Sequence, residues 1–293
     1  MLLRTNDVPL RVSDANPLWL TRDGGTILSG TRSVPPIPYM ASPALRPRSA
    51  SELVDAAFQI LRAHYPQFVM CSALAYLPWL VLQLIWYSDP ARLATISPGA
   101  SVAFGLGIWL VFALMSAVLI ICASQAYLGD PVDVGIAVRQ ALPRLPLVIL
   151  GAIVRYSLMF LGLFFFLVGA LYVAARFFAV TPVIVLEGKG IGAAFARSTV
   201  LSRNRKGHVI LTVGLASLIY WVLAFGVQLA SALFGNLIVQ ALVGAVVTIM
   251  VYPVVAITEA LLYYDTRIKS EGLDIELMAG ALDGAPAGEP AAP

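Results

Sequence analysis

The fold is decided by one long apolar stretch, PLVILGAIVRYSLMFLGLFFFLVGALYVAARFFAVTPVIVL, at residues 146–186. A single helix of this length would measure about 60 Å, twice the thickness of the hydrocarbon layer of a membrane. Two spans joined by a turn near Gly169 fit the bilayer better. We therefore predict a helical hairpin with spans at about 146–168 and 169–186.

Four further apolar runs flank this hairpin, and each is long enough to cross a membrane. Hydrophobic residues make up 59% of the chain and charged residues only 12%, with a mean hydropathy of +0.86. A soluble domain has about a quarter charged residues, so this composition excludes a soluble globular fold. The sequence predicts an all-α polytopic transmembrane bundle of about six spans with amphipathic cytoplasmic surface helices. The other four spans lie at about 67–88, 102–128, 208–232 and 236–262.

The distribution of basic residues predicts the orientation, because loops rich in Lys and Arg stay in the cytoplasm. With six spans and a cytoplasmic N-terminus, Arg92 is the one basic residue outside. Merging 146–186 into a single span would move a basic segment to the outer side. We expect a multi-pass protein of the cell (plasma) membrane with both termini cytoplasmic. Its inner side would carry Arg46, Arg48, Arg62, Arg139, Arg144, Lys189, Arg197, Arg203, Arg205, Lys206, Arg267 and Lys269.

The two ends of the chain differ from the membrane domain, which we place at residues 49–270. Residues 1–48 are rich in Pro, Ser, Arg and Gly and lack a signal-peptide pattern, so we expect a disordered leader. Met40 is an alternative start, in which case residues 1–39 would not be translated. We expect residues 271–293 to form a cytoplasmic tail with a disordered end.

Three segments outside the spans have the pattern of amphipathic helices, and each precedes a pair of spans. Apolar residues recur in them every three to four positions, while basic residues occupy other positions. Such helices suit the membrane surface, where Lys and Arg lie near anionic headgroups; ordinary amphipathic connectors are the alternative. The segments are SASELVDAAFQILRAHY at 49–65, DPVDVGIAVRQALPRL at 130–145 and GKGIGAAFARSTVLSRNRK at 188–206.

Two of these segments carry signals for the start of a helix. Ser49 and Glu52 have the spacing of a capping box. In the second segment, Asp130 is the expected N-cap and Pro131 the expected first helical residue. We therefore predict that the first helix begins directly after Ser49 and the second directly after Asp130.

Three stretches of the chain are distinctive: LRPRSASELVDAAFQILRAHY, RFFAVTPVIVLEGKGIGAAFARSTVLSRNRKGH and LLYYDTRIKSEGLDIELMA. Together they resemble the bacterial family named for the glycerophosphoryl diester phosphodiesterase membrane domain. The resemblance covers about residues 45–280 and implies a six-span membrane module. The name of the family comes from its occasional fusion to a soluble phosphodiesterase, which needs paired histidines and metal-binding carboxylates in a barrel-sized domain. We do not expect the residues of this chain to carry that activity.

Charged residues within spans are the strongest indication of a functional site. An Arg at the centre of a span raises the free energy of membrane insertion by about 2.5 to 3.5 kcal/mol, even on the scales that give the lowest values. Arg155 and Arg176 are candidates for an intramembrane ligand or ion-pair site, and Glu259 is the expected counter-charge of Arg155. A packing role for these arginines and a role in binding a ligand or lipid phosphate are both open. Pro182 and Pro253 should kink their spans.

At the membrane edge, we expect Glu187 to meet the basic helix that follows it, for example at Arg197, in a structural role. The sequence shows no catalytic set, no metal site and no cofactor motif. Both cysteines, Cys71 and Cys122, lie in apolar runs and are expected to behave as small buried hydrophobes.

The function predicted from these features is non-enzymatic. We expect the protein to organise lipids or partner proteins at the inner face of the membrane, with anionic headgroups at its surface helices. A membrane protein partner is open, whereas nucleic acid is not expected. The alternative is a transporter or channel for an anionic or lipid-like solute, for which Arg155, Arg176 and Glu259 would form the intramembrane site.

Overall fold

The structure is a computed structural model that describes residues 48–89 and 97–271. All regular elements in these two ranges are helices, and six segments are long and apolar enough to cross a membrane, which confirms the predicted six-span all-α bundle. The leader before Arg48, the tail after Glu271 and the loop that contains Arg92 lie outside the described residues. The six segments are Tyr65–Tyr87, Pro98–Leu128, Val134–Leu163, Phe166–Leu186, Lys206–Ala232 and Leu237–Glu271.

Helix α1 (Ala50–Ala63) begins with the capping box expected from the sequence. The Ser49 hydroxyl accepts a hydrogen bond from the Glu52 N–H at 3.3 Å, and the Glu52 carboxylate accepts one from the Ser49 N–H at 2.9 Å. The apolar side chains of α1 are buried against the last two spans, α9 (Lys206–Ala232) and α10 (Leu237–Glu271). Protein therefore covers the apolar face of this helix.

The second amphipathic segment starts later than predicted. Span α2 (Tyr65–Tyr87) is followed by α3 (Pro98–Leu128), which ends at Gly129 in the left-handed conformation with φ 84°. The N-cap of α4 (Val134–Ala141) is Asp133, whose Oδ1 accepts from the Ile136 N–H at 2.9 Å. The predicted cap Asp130 is wrong, because the Gln125 side chain binds the Asp133 N–H at 3.1 Å and places the cap three residues later.

Helix α4 continues through the short 3₁₀ turn Leu142–Arg144 into α5 (Leu145–Leu163). The hairpin turn then follows at Phe164 and Phe165, before α6 (Phe166–Arg176) begins. Phe166 itself has a left-handed backbone, with φ 63°. The turn therefore lies ahead of the position expected near Gly169, and the third and fourth spans end and begin earlier than predicted.

Gly169 was expected at the turn but instead lies where the two helices of the hairpin pack against each other. A Cβ added to Gly162 would lie 2.8 Å from the carbonyl carbon and oxygen of Gly169. The two glycines thus let the backbones of α5 and α6 approach closely, as small residues do between membrane helices. The sequence pattern identified the right glycine, but its role is helix packing and the turn is made by phenylalanines.

The fourth span is interrupted. Helix α6 ends at Arg176, and α7 (Val180–Leu186) begins after three irregular residues. Pro182 is the third residue of α7, a position where its missing N–H has no acceptor within the helix. The freed carbonyl of Arg176 accepts hydrogen bonds from the hydroxyls of Ser198, at 3.0 Å, and Ser202, at 3.2 Å. An unpaired carbonyl would cost free energy in an apolar environment, and the two hydroxyls remove this cost by donating to it.

The last elements complete the bundle. Helix α8 (Ile191–Leu201) leads into α9, and α10 has 35 residues, so it is about 50 Å long and exceeds the hydrocarbon thickness. It continues to Glu271, nine residues beyond the predicted end of the sixth span, and includes Pro253 in its interior. The second halves of α3 and α10 supply fully buried side chains of the core: Met115, Leu119, Ile120, Ile257, Leu261 and Leu262.

We expect Gly169→Ala to destabilise the protein. The added Cβ would meet the carbonyl oxygen of Gly162 and lie 3.0 Å from the Cβ of Phe165, so α5 and α6 must separate. Overpacking of this kind costs about 1 to 3 kcal/mol and should lower the unfolding temperature in detergent. Gly226→Ala on α9 is the matched control, because its Cβ meets open space. Equal unfolding temperatures of the two variants would contradict the close approach.

Candidate functional site

We use the name charged end for the end of the bundle that carries Glu187, Arg197, Arg205, Asp265 and Glu271. The chain reaches it after α3, α7 and α8 and at the end of α10. Hydrogen bonds and ion pairs between these segments concentrate there. The candidate residues from the sequence lie either at this end or in the apolar bundle beside it.

Arg155 and Glu259 form the ion pair expected from the sequence. Their Nη1 and Oε1 atoms lie 3.4 Å apart, and the side chains are 19% and 12% exposed. The Arg155 Nη2 also donates to the Tyr156 hydroxyl at 3.1 Å, and the guanidinium lies over the Tyr156 ring, 4.9 Å from its centroid. The pair thus neutralises Arg155 inside the bundle and joins α5 to α10.

Arg176 does not take part in that pair. Its Nε donates to the Thr199 hydroxyl at 3.4 Å and its Nη1 to the Tyr172 hydroxyl at 3.1 Å. The Lys206 ammonium donates to the same Tyr172 hydroxyl at 3.4 Å and lies 4.4 Å from the centroid of the Tyr172 ring. The expected group of Arg155, Arg176 and Glu259 is therefore divided between two places, and Arg176 lies beside the basic turn before α9.

Glu187 lies at the centre of several contacts at the charged end. Its Oε1 accepts from the Arg197 Nε at 3.2 Å and from the Tyr263 hydroxyl at 2.8 Å, and its Oε2 lies 2.6 Å from the Lys189 ammonium. The expected contact with Arg197 is present. Arg197 also pairs with Glu271, with 2.7 Å between Nη2 and Oε2, a contact that the sequence did not indicate.

The electrostatics of this cluster favour the charged forms. Burial raises the pKa of Glu187, but hydrogen bonds from Lys189 and Tyr263 and the charge of Arg197 outweigh it, so the pKa lies below its ordinary value. The hydrogen bond with Glu271 raises the pKa of Arg197 against the opposing effect of burial. Both side chains therefore remain charged at neutral pH.

Asp265 is the buried acid that the sequence analysis missed. Its side chain is 4% exposed and accepts from the Arg48 N–H at 3.0 Å and from the Lys269 ammonium at 2.6 Å. The His208 ring nitrogen lies 3.3 Å from the same carboxylate. The sequence does contain a feature that indicates Asp265: an acid four residues before a lysine on one helix face, within a segment that is otherwise basic. Asp265 joins the start of α1, the start of α9 and the end of α10.

Basic residues outnumber acidic ones at the charged end. Within the two described ranges, every Lys and Arg except Arg155 belongs to this end by chain position or contact, twelve in all. The side chains of Arg62, Arg139 and Arg203 are exposed and form no ion pair with another described residue. In the same two ranges, seven acidic residues belong to this end: Glu52, Asp55, Asp130, Asp133, Glu187, Asp265 and Glu271.

Two other features lie away from these residues. The free thiols of Cys71 and Cys122 are buried, with 3.2 Å between their Sγ atoms, and join α2 to α3. An apolar groove of about 270 Å³ lies between α9 and α10, lined by Val227, Leu242, Val243, Val246 and Val247, and does not include Arg155, Arg176 or Glu259. No cluster of three or more His, Cys, Asp or Glu side chains able to hold a metal occurs in the described part of the chain.

Comparison with protein-family models, with curated proteins and with solved structures found no match to this chain. The resemblance to the membrane-domain family described above therefore stays a prediction. What the site can do follows from its own geometry. The acids at its centre are neutralised by protein contacts, whereas several cations face outwards or face one another.

We expect Arg155→Gln and Glu259→Gln each to destabilise the bundle by about 3 to 5 kcal/mol, because each leaves the partner charge uncompensated in an apolar place. The double variant should lose less than the sum, with a coupling of about 0.5 to 3 kcal/mol. Unfolding temperatures of the four proteins in the same detergent measure this coupling. Arg139→Gln, at an exposed position, is the control. Strictly additive losses would show that the ion pair has no role in packing.

We expect the stabilising effect of Glu187 to depend on pH. Because its pKa is lower in the folded protein than its ordinary value of 4.5, the contribution is fully present above about pH 4.5 and is lost as the pH falls through the lower folded pKa. The unfolding temperature of Glu187→Gln should lie well below wild type at neutral pH. The difference should shrink on acidification, because the protonated acid resembles the amide. A difference that is constant with pH would contradict this electrostatic role.

Proposed function

We propose that the protein is a non-enzymatic membrane protein that organises anionic lipids or partner proteins at the cytoplasmic face of the cell membrane. The observation that carries the proposal is the excess of cations at the charged end, where, among the described residues, twelve are basic and seven are acidic. A basic surface next to a membrane attracts anionic headgroups. The rule that basic segments stay inside supports a cytoplasmic position of this end.

The bonding of the charged end supports a fixed surface for lipids or partners. Asp265 binds groups from three segments, and Arg197 on α8 pairs with Glu271 on α10. The Arg205 Nη2 donates to the carbonyl of Lys269 at 2.7 Å, which fastens the turn before α9 to α10. These contacts hold the basic side chains on one connected framework.

The alternative function is a transporter or channel for an anionic or lipid-like solute. Such a path would need Arg155, Arg176 and Glu259 to line one polar cavity. Arg155 and Glu259 neutralise each other instead, and Arg176 contacts Tyr172 and Thr199. The geometry of the charged residues thus supports the organising function better.

Extraction of the protein from vesicles of defined composition tests the proposal. The full chain is placed in vesicles of phosphatidylcholine with a minor fraction of phosphatidylglycerol, and a polymer then excises the protein with its surrounding lipid. We expect the excised discs to be enriched about two-fold or more in phosphatidylglycerol over protein-free discs, since each cation near the surface contributes about 1 kcal/mol. Lipid mass spectrometry of the discs measures this ratio.

Two variants sharpen the measurement. Replacement of Arg62 and Arg203 together by Gln should reduce the enrichment, whereas replacement by Lys, which conserves the charge, should retain it. A lipid ratio equal to that of the bulk would contradict lipid organisation. Flux of an entrapped anionic solute through the vesicles would support the transporter instead.

A further inference from the structure

We infer that Arg176 and Lys206, with the Tyr172 hydroxyl between them, form a binding site for the phosphate group of one anionic phospholipid. The inference rests on the proposed function, because it identifies one specific site within a surface that organises lipids. It goes further by naming the residues, the ligand chemistry and a single bound molecule.

The two cations converge on one neutral group. The Arg176 Nη1 and the Lys206 Nζ lie 3.1 and 3.4 Å from the Tyr172 hydroxyl oxygen. Two positive charges held this close repel each other, and an anion between or beside them offsets this repulsion. No described Asp or Glu forms a hydrogen bond or ion pair with either side chain.

Five other cations of the charged end have different partners. Lys189, Arg197, Arg267 and Lys269 each bind a carboxylate, and Arg205 binds two backbone carbonyls. The Arg176–Lys206 pair is therefore the place in the described chain where two converging cations meet a hydroxyl alone. A phosphate oxygen would supply the missing negative charge, and both side chains are strong phosphate donors.

The site is fixed in place before any ligand binds. The Arg176 carbonyl is held by Ser198 and Ser202, and the Arg176 Nε is directed by Thr199. Lys206 is the first residue of α9, so the positive end of that helix adds to the same field. A preorganised group of donors binds an anion with little loss of side-chain freedom.

The surroundings of the site favour a lipid over free phosphate. Tyr172 is 42% exposed, and its neighbour Leu171 on α6 is exposed as well. Val200, the neighbour of Thr199 on α8, is also exposed and apolar. Exposed apolar side chains beside paired cations match a molecule that has a phosphate and acyl chains. An inorganic anion would gain nothing from this surface.

Native mass spectrometry of the full chain tests the site, with dioleoylphosphatidylglycerol as the probe and dioleoylphosphatidylcholine for comparison. Wild type should retain one phosphatidylglycerol. Lys206→Gln should weaken its apparent affinity about five-fold or more, because one charge-assisted hydrogen bond is lost. Lys206→Arg should retain binding. Arg139→Gln is the matched control, because it removes the same charge from an exposed position on α4 and should leave the bound lipid in place.

Lys206 is the preferred position, because among the described residues its side chain forms a hydrogen bond and a ring contact with Tyr172 and no ion pair, so its loss should not unfold the protein. Arg176→Gln is the second variant and should also weaken binding. Unchanged binding in both variants would overturn the site. Equal losses in Arg139→Gln would overturn it too, since they would show a general effect of surface charge. Displacement of the lipid by inorganic phosphate would overturn the lipid assignment in favour of a soluble phosphate.

The native mass spectra test the site, and the lipid ratio of the discs tests the proposed function, so the two can fail separately. If Lys206→Gln retains its single lipid while the discs of wild type remain enriched in phosphatidylglycerol, the site is wrong and the organising function stands. If wild type retains one lipid that Lys206→Gln loses, but its discs show no enrichment, the site stands and the organising function is wrong.

Discussion

The charged end depends on the last turns of α10, residues 263–271, because the start of α1, the segment after α7, α8 and α9 all bind to them. Tyr263 donates to Glu187 after α7, Glu271 pairs with Arg197 of α8, and Asp265 accepts from the start of α1 and faces His208 of α9. These turns extend beyond the length that a span needs, and their side chains are mostly buried. A helix longer than one membrane crossing thus supplies the framework of this surface.

Hydrophobic length and charge position predicted much of this arrangement. Six spans follow from apolar runs that exceed a bilayer crossing, and the capping box of α1 follows from the spacing of Ser49 and Glu52. The Arg155–Glu259 contact could be predicted because an arginine inside a bundle needs a counter-charge, and few acids lie within the spans. These features are local or are forced by the cost of charge in hydrocarbon.

The remaining features depend on tertiary contacts that a sequence pattern does not contain. The turn of the central hairpin lies at Phe164 and Phe165 because Gly169 is needed where α5 and α6 touch. Arg176 was expected within a span. The break after it could not be predicted, because it depends on the hydroxyls of Ser198 and Ser202, which bind the free carbonyl. Asp265 was overlooked because its partners come from three distant segments.

The tip of the central hairpin has a consequence for how the protein enters the membrane. Phe164, Phe165 and Phe166 are 77% to 83% exposed, and no polar side chain lies between Ser157 and Tyr172. Insertion of this turn therefore requires no charged or polar side chain to lose its water, in contrast with the sequence that joins the first two spans, which carries Asp89 and Arg92. The two helices of this hairpin can therefore enter the bilayer together as one unit, because their connection has no polar side chain to translocate.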